Sequence, residues 1–336
     1  MNFFNIIFIK AVIVLYTKKT IAILTSGGDA PGMNAAVRAV ARAAISNDLN
    51  VIGIRRGYSG LLTGDIFEMN LRSVSEIIHR GGTILYTARS DEFKTPQGVQ
   101  KAAGMCKLLG IDGIIAIGGD GTIRGTKDLS EAGVACLAIP ATIDNDVGCT
   151  EYTIGFDTAM NTAMEMVDKL RDTAQSHERC SIVEVMGRKC GDLALHTGIA
   201  VGAMCILVPE VPYSLDEIIM KMKRARILGK KHFIIVVAEG VGKIEKIAKE
   251  IYNATEIESR STVLGHVQRG GSPTLLDRVA ASEMGCHAIN LFLSGEKNKV
   301  IIKKDGKITD IAIHEALEMK KLFDEELYKT VLEISV

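Results

Sequence analysis

The chain alternates short apolar segments of strand length with longer segments that have the period of a helix. The apolar segments lie at residues 20–25, 51–55, 113–117, 136–139, 181–185, 206–208, 233–238 and 261–267, and the helical ones include 33–46, 122–132 and 158–171. Strands that are apolar along their whole length, separated by helices, are typical of a mostly parallel sheet covered on both faces. We therefore predict an α/β fold.

The length and the charge limit the kind of protein this is. A chain of 336 residues is long enough for two domains. The 40 Lys and Arg residues balance the 40 Asp and Glu residues, so the formal net charge is zero. Proteins that bind the phosphate backbone of nucleic acids are generally basic. We therefore expect no nucleic acid among the partners.

The seven cysteines do not indicate a disulfide framework or a zinc site. Their number is odd, and no two of them form a C-x-x-C pair. Most of them lie in apolar sequence, which favours buried thiols in a reducing compartment. We therefore expect a cytoplasmic location.

Residues 1–17 begin with an apolar run that Lys10 interrupts. The run is too short and too interrupted for a good membrane span, and no small-residue cleavage site follows it. A start assigned too far upstream explains the segment better, because a strand and a Gly-rich loop follow at once. We expect no membrane association, and we interpret 1–17 as an extension that does not belong to the functional chain.

Loops rich in Gly and Asp follow three of the predicted strands. Their notable residues are Gly28 in loop 25–32, then Gly119, Asp120, Gly121 and Thr122 in loop 118–122, and Thr142, Ile143, Asp144 and Asp146 in loop 140–146. Glycine lets a backbone approach an anion at a helix N-terminus, and a carboxylate beside phosphates can hold Mg²⁺ or accept a proton. Turn and cap chemistry explains any one of these loops, but it does not readily explain three at strand ends.

Cationic side chains also cluster near predicted strand ends. They are Arg89, Arg179, Arg188, Arg260, His266 and Arg269. Any one of them is most simply a solvated surface charge. Together they match what phosphoryl transfer needs, because arginine binds phosphate bidentately and stabilises charge on the transferring group. The pattern predicts a phosphorylated substrate.

Six motifs resemble those of the bacterial ATP-dependent 6-phosphofructokinase family. They are TSGGDAPG at 25–32, GGDGT at 118–122, TIDND at 142–146, YTIGF at 152–156, VEVMG at 183–187 and GHVQRGGSP at 265–273. The resemblance runs from about Thr20 to the C-terminal region. It implies transfer of a phosphoryl group from ATP, with Mg²⁺, to the 1-hydroxyl of fructose 6-phosphate.

The resemblance also assigns roles to individual positions. It implies ATP contacts from Gly28, Arg89, Ser90, Gly119, Asp120, Gly121 and Thr122, a Mg²⁺ ligand in Asp120, and a catalytic base in Asp144 that acts with Thr142, Asp146 and Arg188. It implies sugar-phosphate contacts from Thr142, Ile143, Asp144, Arg179, Met186, Gly187, Arg188, Glu239, Arg260, His266, Val267, Gln268 and Arg269. In the family, Arg179 and Arg260 would come from a neighbouring subunit of a homotetramer.

Two small residues bear on the phosphoryl donor. Pyrophosphate-dependent relatives typically have an Asp where this chain has Gly121 and a Lys where it has Ala141, so ATP is the better donor. A pyrophosphate-dependent phosphofructokinase is the nearest alternative function. A non-catalytic regulatory paralogue is another, although it would be expected to lack Asp120 or Asp144. Lipid or NAD kinases and dehydrogenases explain fewer of the motifs.

The effector site of the family is only partly matched. Arg38, Arg42, Arg171, Lys230, Lys231 and His232 fit positions that bind ADP or phosphoenolpyruvate between subunits. Leu71, Met204 and Leu228 replace residues that are usually charged. We expect regulation by these anions to be weak or absent.

The resemblance implies two three-layer αβα domains with mostly parallel sheets. The larger, ATP-binding domain would comprise residues 18–154 and 267–317. The smaller, fructose-6-phosphate-binding domain would comprise residues 155–266 and 318–336. The chain would therefore cross between the domains three times.

Overall fold

The computed structural model of the protein describes residues 18–335, so the prediction for residues 1–17 lies outside the described residues. The strands are β1 Thr20–Ser26, β2 Asn50–Ile54, β3 Ile66–Met69, β4 Gly113–Gly118, β5 Cys136–Pro140, β6 Cys180–Val185, β7 Cys205–Leu207, β8 Phe233–Ala238, β9 Ser259–Val263, β10 Lys299–Lys304 and β11 Lys307–Ala312.

Eleven helices connect these strands within residues 18–335. They are α1 Met33–Ser46, α2 Gly57–Thr63, α3 Pro96–Leu108, α4 Asp120–Glu131, α5 Phe156–Ser176, α6 Asp192–Ala200, α7 Leu215–Ile227, α8 Ile244–Thr255, α9 Leu275–Leu293, α10 Ile313–Glu318 and α11 Glu325–Ile334. Two short 3₁₀ turns occupy Glu92–Lys94 and Gly265–Arg269.

The strands form two sheets. The larger has the order β11-β10-β5-β4-β1-β2-β3, in which β3 and β11 pair antiparallel with their neighbours and the other pairs are parallel. The smaller has the order β7-β8-β6-β9 and is parallel throughout. The predicted α/β class with mostly parallel sheets is confirmed, and the domain boundaries stay predictions.

One apolar core extends from the larger sheet to the smaller. It includes Ile21 and Ile23 of β1 as well as Val183 of β6 and Val236 of β8. Helices α1 and α9 pack closely against each other beside this core. Gly285 of α9 allows this close packing, because a side chain at that position would collide with α1. Burial of these side chains is the main favourable contribution to the fold.

The crossing from the larger sheet to α5 is anchored by a buried carboxylate, Asp277. Its oxygens accept hydrogen bonds from the hydroxyl of Tyr152, the N–H of Gly155, and the N–H and hydroxyl of Thr158, at 2.5–2.9 Å. Burial raises the pKa of Asp277, and these hydrogen bonds partly offset that rise. A carboxylate that accepts several hydrogen bonds can satisfy the N–H groups in the first turn of a helix, which have no partner within the helix.

The structure corrects some predicted boundaries. The strand predicted at 261–267 is β9, which begins at Ser259 and ends at Val263. Arg260 therefore lies within the strand rather than before it. His266 lies in a 3₁₀ turn, because Gly265 adopts a left-handed conformation with φ of 57° that breaks the strand. The helix predicted at 122–132 begins at Asp120.

None of the helices described in the structure combines the length and the apolar character that a membrane crossing requires.

Candidate active site

The three Gly- and Asp-rich loops lie at one edge of the larger sheet. In the register of the parallel strands, Ser26 at the end of β1 pairs with Gly118 of β4, and Gly118 pairs with Pro140 of β5. The carboxyl ends of these neighbouring strands therefore place the loops side by side. This is the edge where open α/β sheets bind their ligands.

The first two loops form an anion cradle. Side chains at Gly27 and Gly118 would meet the hydroxyl of Thr122, and one at Gly118 would also collide with the backbone of β1. The Thr122 hydroxyl is buried and has no hydrogen-bond partner within residues 18–335. Helix α4 begins at Asp120, so its first turn, which contains Thr122, adjoins the same space. An unpartnered hydroxyl and free helix N–H groups suit a phosphate.

The third loop holds the most buried carboxylate of the site. Asp144 is only 1% exposed, and neither of its side-chain oxygens accepts a hydrogen bond from any residue that the structure describes. Its backbone N–H donates to the hydroxyl of Thr142 at 3.2 Å. Ile143, the residue between them, is fully buried in the core and fixes the loop on the sheet.

Burial raises the pKa of Asp144 from 3.8 to about 6, with a further contribution from Asp146, while Arg269 and Arg188 oppose the rise. Burial likewise raises the pKa of Asp146, and Arg188 opposes it. A carboxyl group whose pKa is near neutrality is a better proton acceptor than an ordinary Asp.

Arg188 links the loop to the smaller sheet. It follows β6, and its Nε lies 3.2 Å from Asp144 Oδ2 while its Nη1 lies 3.8 Å from Asp146 Oδ2. The backbone N–H of Arg188 donates to Glu239 Oε1 at 2.6 Å. The Arg188 side chain is 56% exposed, so it faces the cleft between the third loop and the smaller sheet as well as the carboxylates. Met186 and Gly187 come directly before it in the chain.

The 3₁₀ turn after β9 packs against the same cleft. Gln268 is fully buried, and its Oε1 accepts a hydrogen bond from the N–H of Met186 at 3.0 Å. Arg269 donates to the carbonyl of Asp29 at 3.0 Å and lies against Gly28, where any side chain would collide with the guanidinium. His266 and Val267 are exposed on the turn. The turn therefore brings Arg269, a predicted sugar-phosphate residue, next to the first Gly-rich loop.

Arg89 and Ser90 lie on a loop that is tied to the cradle. The hydroxyl of Thr87 donates to the carbonyl of Gly27 at 2.6 Å. Ser90 Oγ accepts a hydrogen bond from the N–H of Phe93 at 3.2 Å, and the Phe93 ring stacks on Tyr58. Arg89 itself is exposed. These contacts hold the loop near the helix that carries Asp120.

The carboxylates suit Mg²⁺ only in combination with a ligand. Asp120 lies close enough to Asp146 for its charge to raise the pKa of Asp146. Within residues 18–335, no group of three or more His, Cys, Asp or Glu side chains is arranged to hold a metal ion. Mg²⁺ is commonly bound through one or two carboxylates together with substrate phosphates, and Asp120 beside the anion cradle fits that donor set.

Comparison with known proteins identifies the family. The family model described as "Phosphofructokinase" matches residues 20–292. The curated ATP-dependent 6-phosphofructokinase of Clostridium botulinum is 54% identical over 310 residues, which cover 92% of this chain and 97% of that protein. The ATP-dependent 6-phosphofructokinase 1 of Clostridium perfringens is 56% identical over 311 residues, with coverages of 93% and 98%.

This chain belongs to the phosphofructokinase family. Solved structures agree with that assignment. A phosphofructokinase from Saccharomyces cerevisiae superposes with a TM-score of 0.88 at 33% identity, over 94% of this chain and 50% of the yeast chain. The chain thus spans half the length of the yeast chain that it matches. A pyrophosphate-dependent phosphofructokinase from Marinobacter aquaeolei, with a TM-score of 0.82 at 20% identity, shares the fold.

Arg179 and Arg260 lie at the other end of the smaller sheet. Arg179 precedes β6, and Arg260 pairs in register with Ser181 at the amino end of that strand. Both arginines form ion pairs with Glu258, at 2.7 and 2.5 Å. Because β6 is six residues long, it separates them from Arg188 by roughly 20 Å. Within one phosphofructokinase chain, these two residues are therefore not brought to the site.

The predicted effector residues fall into two groups. Arg38 and Arg42 lie on α1. Burial lowers the pKa of His232, and so do the charges of Arg171 and Lys230, which places these three side chains near one another. Lys231 pairs with Glu178 at 2.8 Å. Met204, Leu228 and Lys230 line one surface cavity of about 770 Å³.

Sequence reasoning missed several residues of this phosphofructokinase site. Gly27 and Gly118 form the cradle as much as the predicted glycines do. Arg124 forms a two-point ion pair with Asp120 at i,i+4 spacing, but the helix was predicted to begin at Thr122, so the predicted helix did not contain both residues. Asn145, Asp192 and Lys321 meet behind the third loop. Their contact depends on the tertiary structure, and no local sequence pattern predicts it.

Proposed function

We propose that this chain is an ATP-dependent 6-phosphofructokinase, which converts fructose 6-phosphate and ATP into fructose 1,6-bisphosphate and ADP. The observation that supports the chemistry best is Asp144, a buried carboxylate that lies beside the anion cradle and Arg188. Its side-chain oxygens accept no hydrogen bond from residues 18–335. The relatives that carry this activity in their names match nearly the whole chain.

In the proposed reaction, Asp144 accepts the proton of the sugar 1-hydroxyl as the hydroxyl oxygen attacks the γ-phosphorus of ATP. The bond between the γ-phosphorus and the bridging oxygen breaks, and ADP leaves. Arg188 and Arg89 stabilise the negative charge of the transferring group. Thr142 holds the loop through the N–H of Asp144. Asp146 keeps Arg188 close to the cleft.

Nucleotide binding is assigned to the cradle and the adjoining loop. Gly28, Gly119, Gly121 and Thr122 would receive the phosphates, while Arg89 and Ser90 would flank the nucleotide. Asp120 would hold Mg²⁺, which supplies positive charge to the β- and γ-phosphates when bound. Met186, Gly187 and Glu239 would contact the sugar, with His266 and Arg269 at its 6-phosphate.

We also propose that the enzyme is a cytoplasmic homotetramer with shared active sites. Arg179 and Arg260 are too far from Arg188 to act in their own chain, but they are available at the opposite end of the smaller sheet to a neighbouring subunit. Apolar side chains next to the 3₁₀ turn, including Val263, Val267 and Leu275, are more than half exposed. Burial of such a surface against another copy would stabilise the assembly.

Substitution of Asp144 by Asn tests the base. An amide cannot accept the proton, so kcat should fall by about 10²–10⁴-fold. A coupled assay of fructose 1,6-bisphosphate formation measures this, with Asp305→Asn at an exposed turn as the matched control. Because Asp144 acts only when ionised and its pKa is about 6, the wild-type rate should decrease below pH 6. A near-normal kcat for Asp144→Asn would show that the base is elsewhere.

The same variant distinguishes lost chemistry from lost structure. Folding raises the pKa of Asp144 from 3.8 to about 6, so its contribution to stability is fully present below pH 3.8 and is lost as the pH rises from there through about 6. Asp144→Asn should therefore be more stable than the wild type at pH 8, by up to about 3 kcal/mol, and nearly equal to it at pH 3. Denaturant unfolding at both pH values measures this difference.

Two substitutions of Gly121 test the donor. A side chain at Gly121 would meet no atom of the described protein, so Gly121→Ala should keep the fold and raise the KM for ATP less than Gly121→Asp does. Gly121→Asp should raise the KM for ATP, because its carboxylate would repel the phosphates. Ala141 is fully buried, which leaves no room for a donor-binding Lys. Wild-type activity with pyrophosphate in place of ATP would contradict the assignment.

Complementation tests the shared site. Arg260→Ala should raise the KM for fructose 6-phosphate, and Asp144→Asn should lose turnover. Co-expressed in equal amounts, the two variants should regain about a quarter of the wild-type sites, since random pairing creates sites with both intact residues. Activity no greater than the average of the two separate variants would place the arginines outside the site.

Regulation by ADP or phosphoenolpyruvate is expected to be weak. Leu228 is 87% exposed in the cavity that also contains Met204 and Lys230, so apolar side chains occupy positions where charge would bind an anion. Each missing charge-assisted contact removes roughly 1.5–3 kcal/mol. Titration of fructose 6-phosphate with and without each effector measures the response. A shift of the curve by several-fold would refute the expectation.

A further inference from the structure

A buried polar chain lies directly behind the third loop. It consists of Asn145, Asp192 and Lys321, which we call the loop anchor. Asn145 Nδ2 donates to Asp192 Oδ2 at 3.0 Å, and Lys321 Nζ lies 3.5 Å from the same oxygen. The three residues come from the third loop, from the first turn of α6 and from the segment after α10.

The loop conformation depends on Asn145. Its backbone is left-handed, with φ of 49°, a conformation that Asn adopts more readily than most residues. The turn lies between Asp144 and Asp146, which both face Arg188. The Asn145 side chain is buried and also donates to the carbonyl of Glu151 at 3.3 Å. Rotation of Asn145 would therefore displace both carboxylates.

Asp192 holds Asn145 only if its own charge is compensated. The Asp192 side chain is 8% exposed, and Lys321 is the cation that pairs with it among residues 18–335. A buried carboxylate that loses its cation is costly, and it tends to take up water or change its contacts. The Lys321 side chain thereby acts on Asn145 through Asp192.

The segment around Lys321 also covers the far end of the loop. Lys321 Nζ lies 3.4 Å from the carbonyl of Thr150. Gly148 packs so tightly against the backbone of Met319 and Lys320 that a side chain there would collide with it. Lys321 further lines a cavity of about 560 Å³ together with Asp146 and Arg188. The segment after α10 thus contacts the loop at several points close to the reacting groups.

We propose that Lys321 is a positioning residue for the catalytic carboxylates, acting through Asp192 and Asn145. The proposal rests on the proposed function, because it assigns Lys321 a role in the turnover that Asp144 carries out. The C-terminal segment is then part of the catalytic machinery, and Lys321 acts through the contacts that position the third loop.

Substitutions of two adjacent lysines in the full chain test this proposal. Lys321→Met should lower kcat by roughly 10–100-fold, as expected for misplaced catalytic groups, with KM values for ATP and fructose 6-phosphate within twofold of wild type. Lys321→Arg keeps the cation and should restore most of kcat. Lys320→Met is the matched control, because Lys320 is its exposed neighbour. Asp192→Asn combined with Lys321→Met should lose little more than Lys321→Met alone, since both act on one chain of contacts.

Hydrogen exchange of the loop provides a readout that does not depend on activity. In Lys321→Met, backbone amides of residues 142–150 should exchange faster than in Lys320→Met, while the strands of the larger sheet should be unchanged. Unchanged exchange and kcat in Lys321→Met, with Asp144→Asn inactive, would overturn the positioning role and leave the proposed function intact. A global loss of stability that Lys321→Arg does not restore would also overturn it. A wild-type enzyme without phosphoryl transfer to fructose 6-phosphate would instead refute the proposed function.

Discussion

The site depends on one buried carboxylate whose oxygens accept no hydrogen bond from the part of the chain that the structure describes. Asp144 lies where the third loop of the larger sheet meets Arg188 of the smaller one. Burial and Asp146 disfavour its charge, whereas Arg269 and Arg188 favour it, and the balance raises the pKa of Asp144 to about 6. Each of these influences comes from a different part of the fold. The two sheets must therefore be packed together before the carboxylate has the properties of a base.

The parallel sheets explain why the reacting groups converge. Neighbouring strands β1, β4 and β5 end at the same edge, so two loops form the anion cradle and the third presents the carboxylates. The cationic side chains of the proposed site lie in two separate places. Arg188 and Arg269 face the cleft, while Arg179 and Arg260 lie at the opposite end of the smaller sheet. A single chain thus supplies the proposed nucleotide site and base, and a second chain would complete the proposed grip on the sugar phosphate.

The features that could be predicted from the sequence are those that a local pattern of residues determines. Continuous apolar runs such as that of β8 identify buried strands, and strand-end loops identify the cradle and Asp144. Other elements lack such patterns. Strand β10, which lies between β5 and the edge strand β11, contains three lysines. The 3₁₀ turn that carries His266 begins at the left-handed Gly265, although the predicted strand continues to Val267. The loop anchor could not be predicted, because Lys321 meets Asp192 only through the tertiary fold.

The pKa of Asp144 in the free enzyme is the most direct test of this account. Infrared difference titration of the wild type against Asp144→Asn isolates the carboxyl band of this one residue. Burial and the charge of Asp146 should place the midpoint near 6. A midpoint near the ordinary value of 3.8 would contradict it, because the carboxylate would then be as well solvated as a surface Asp.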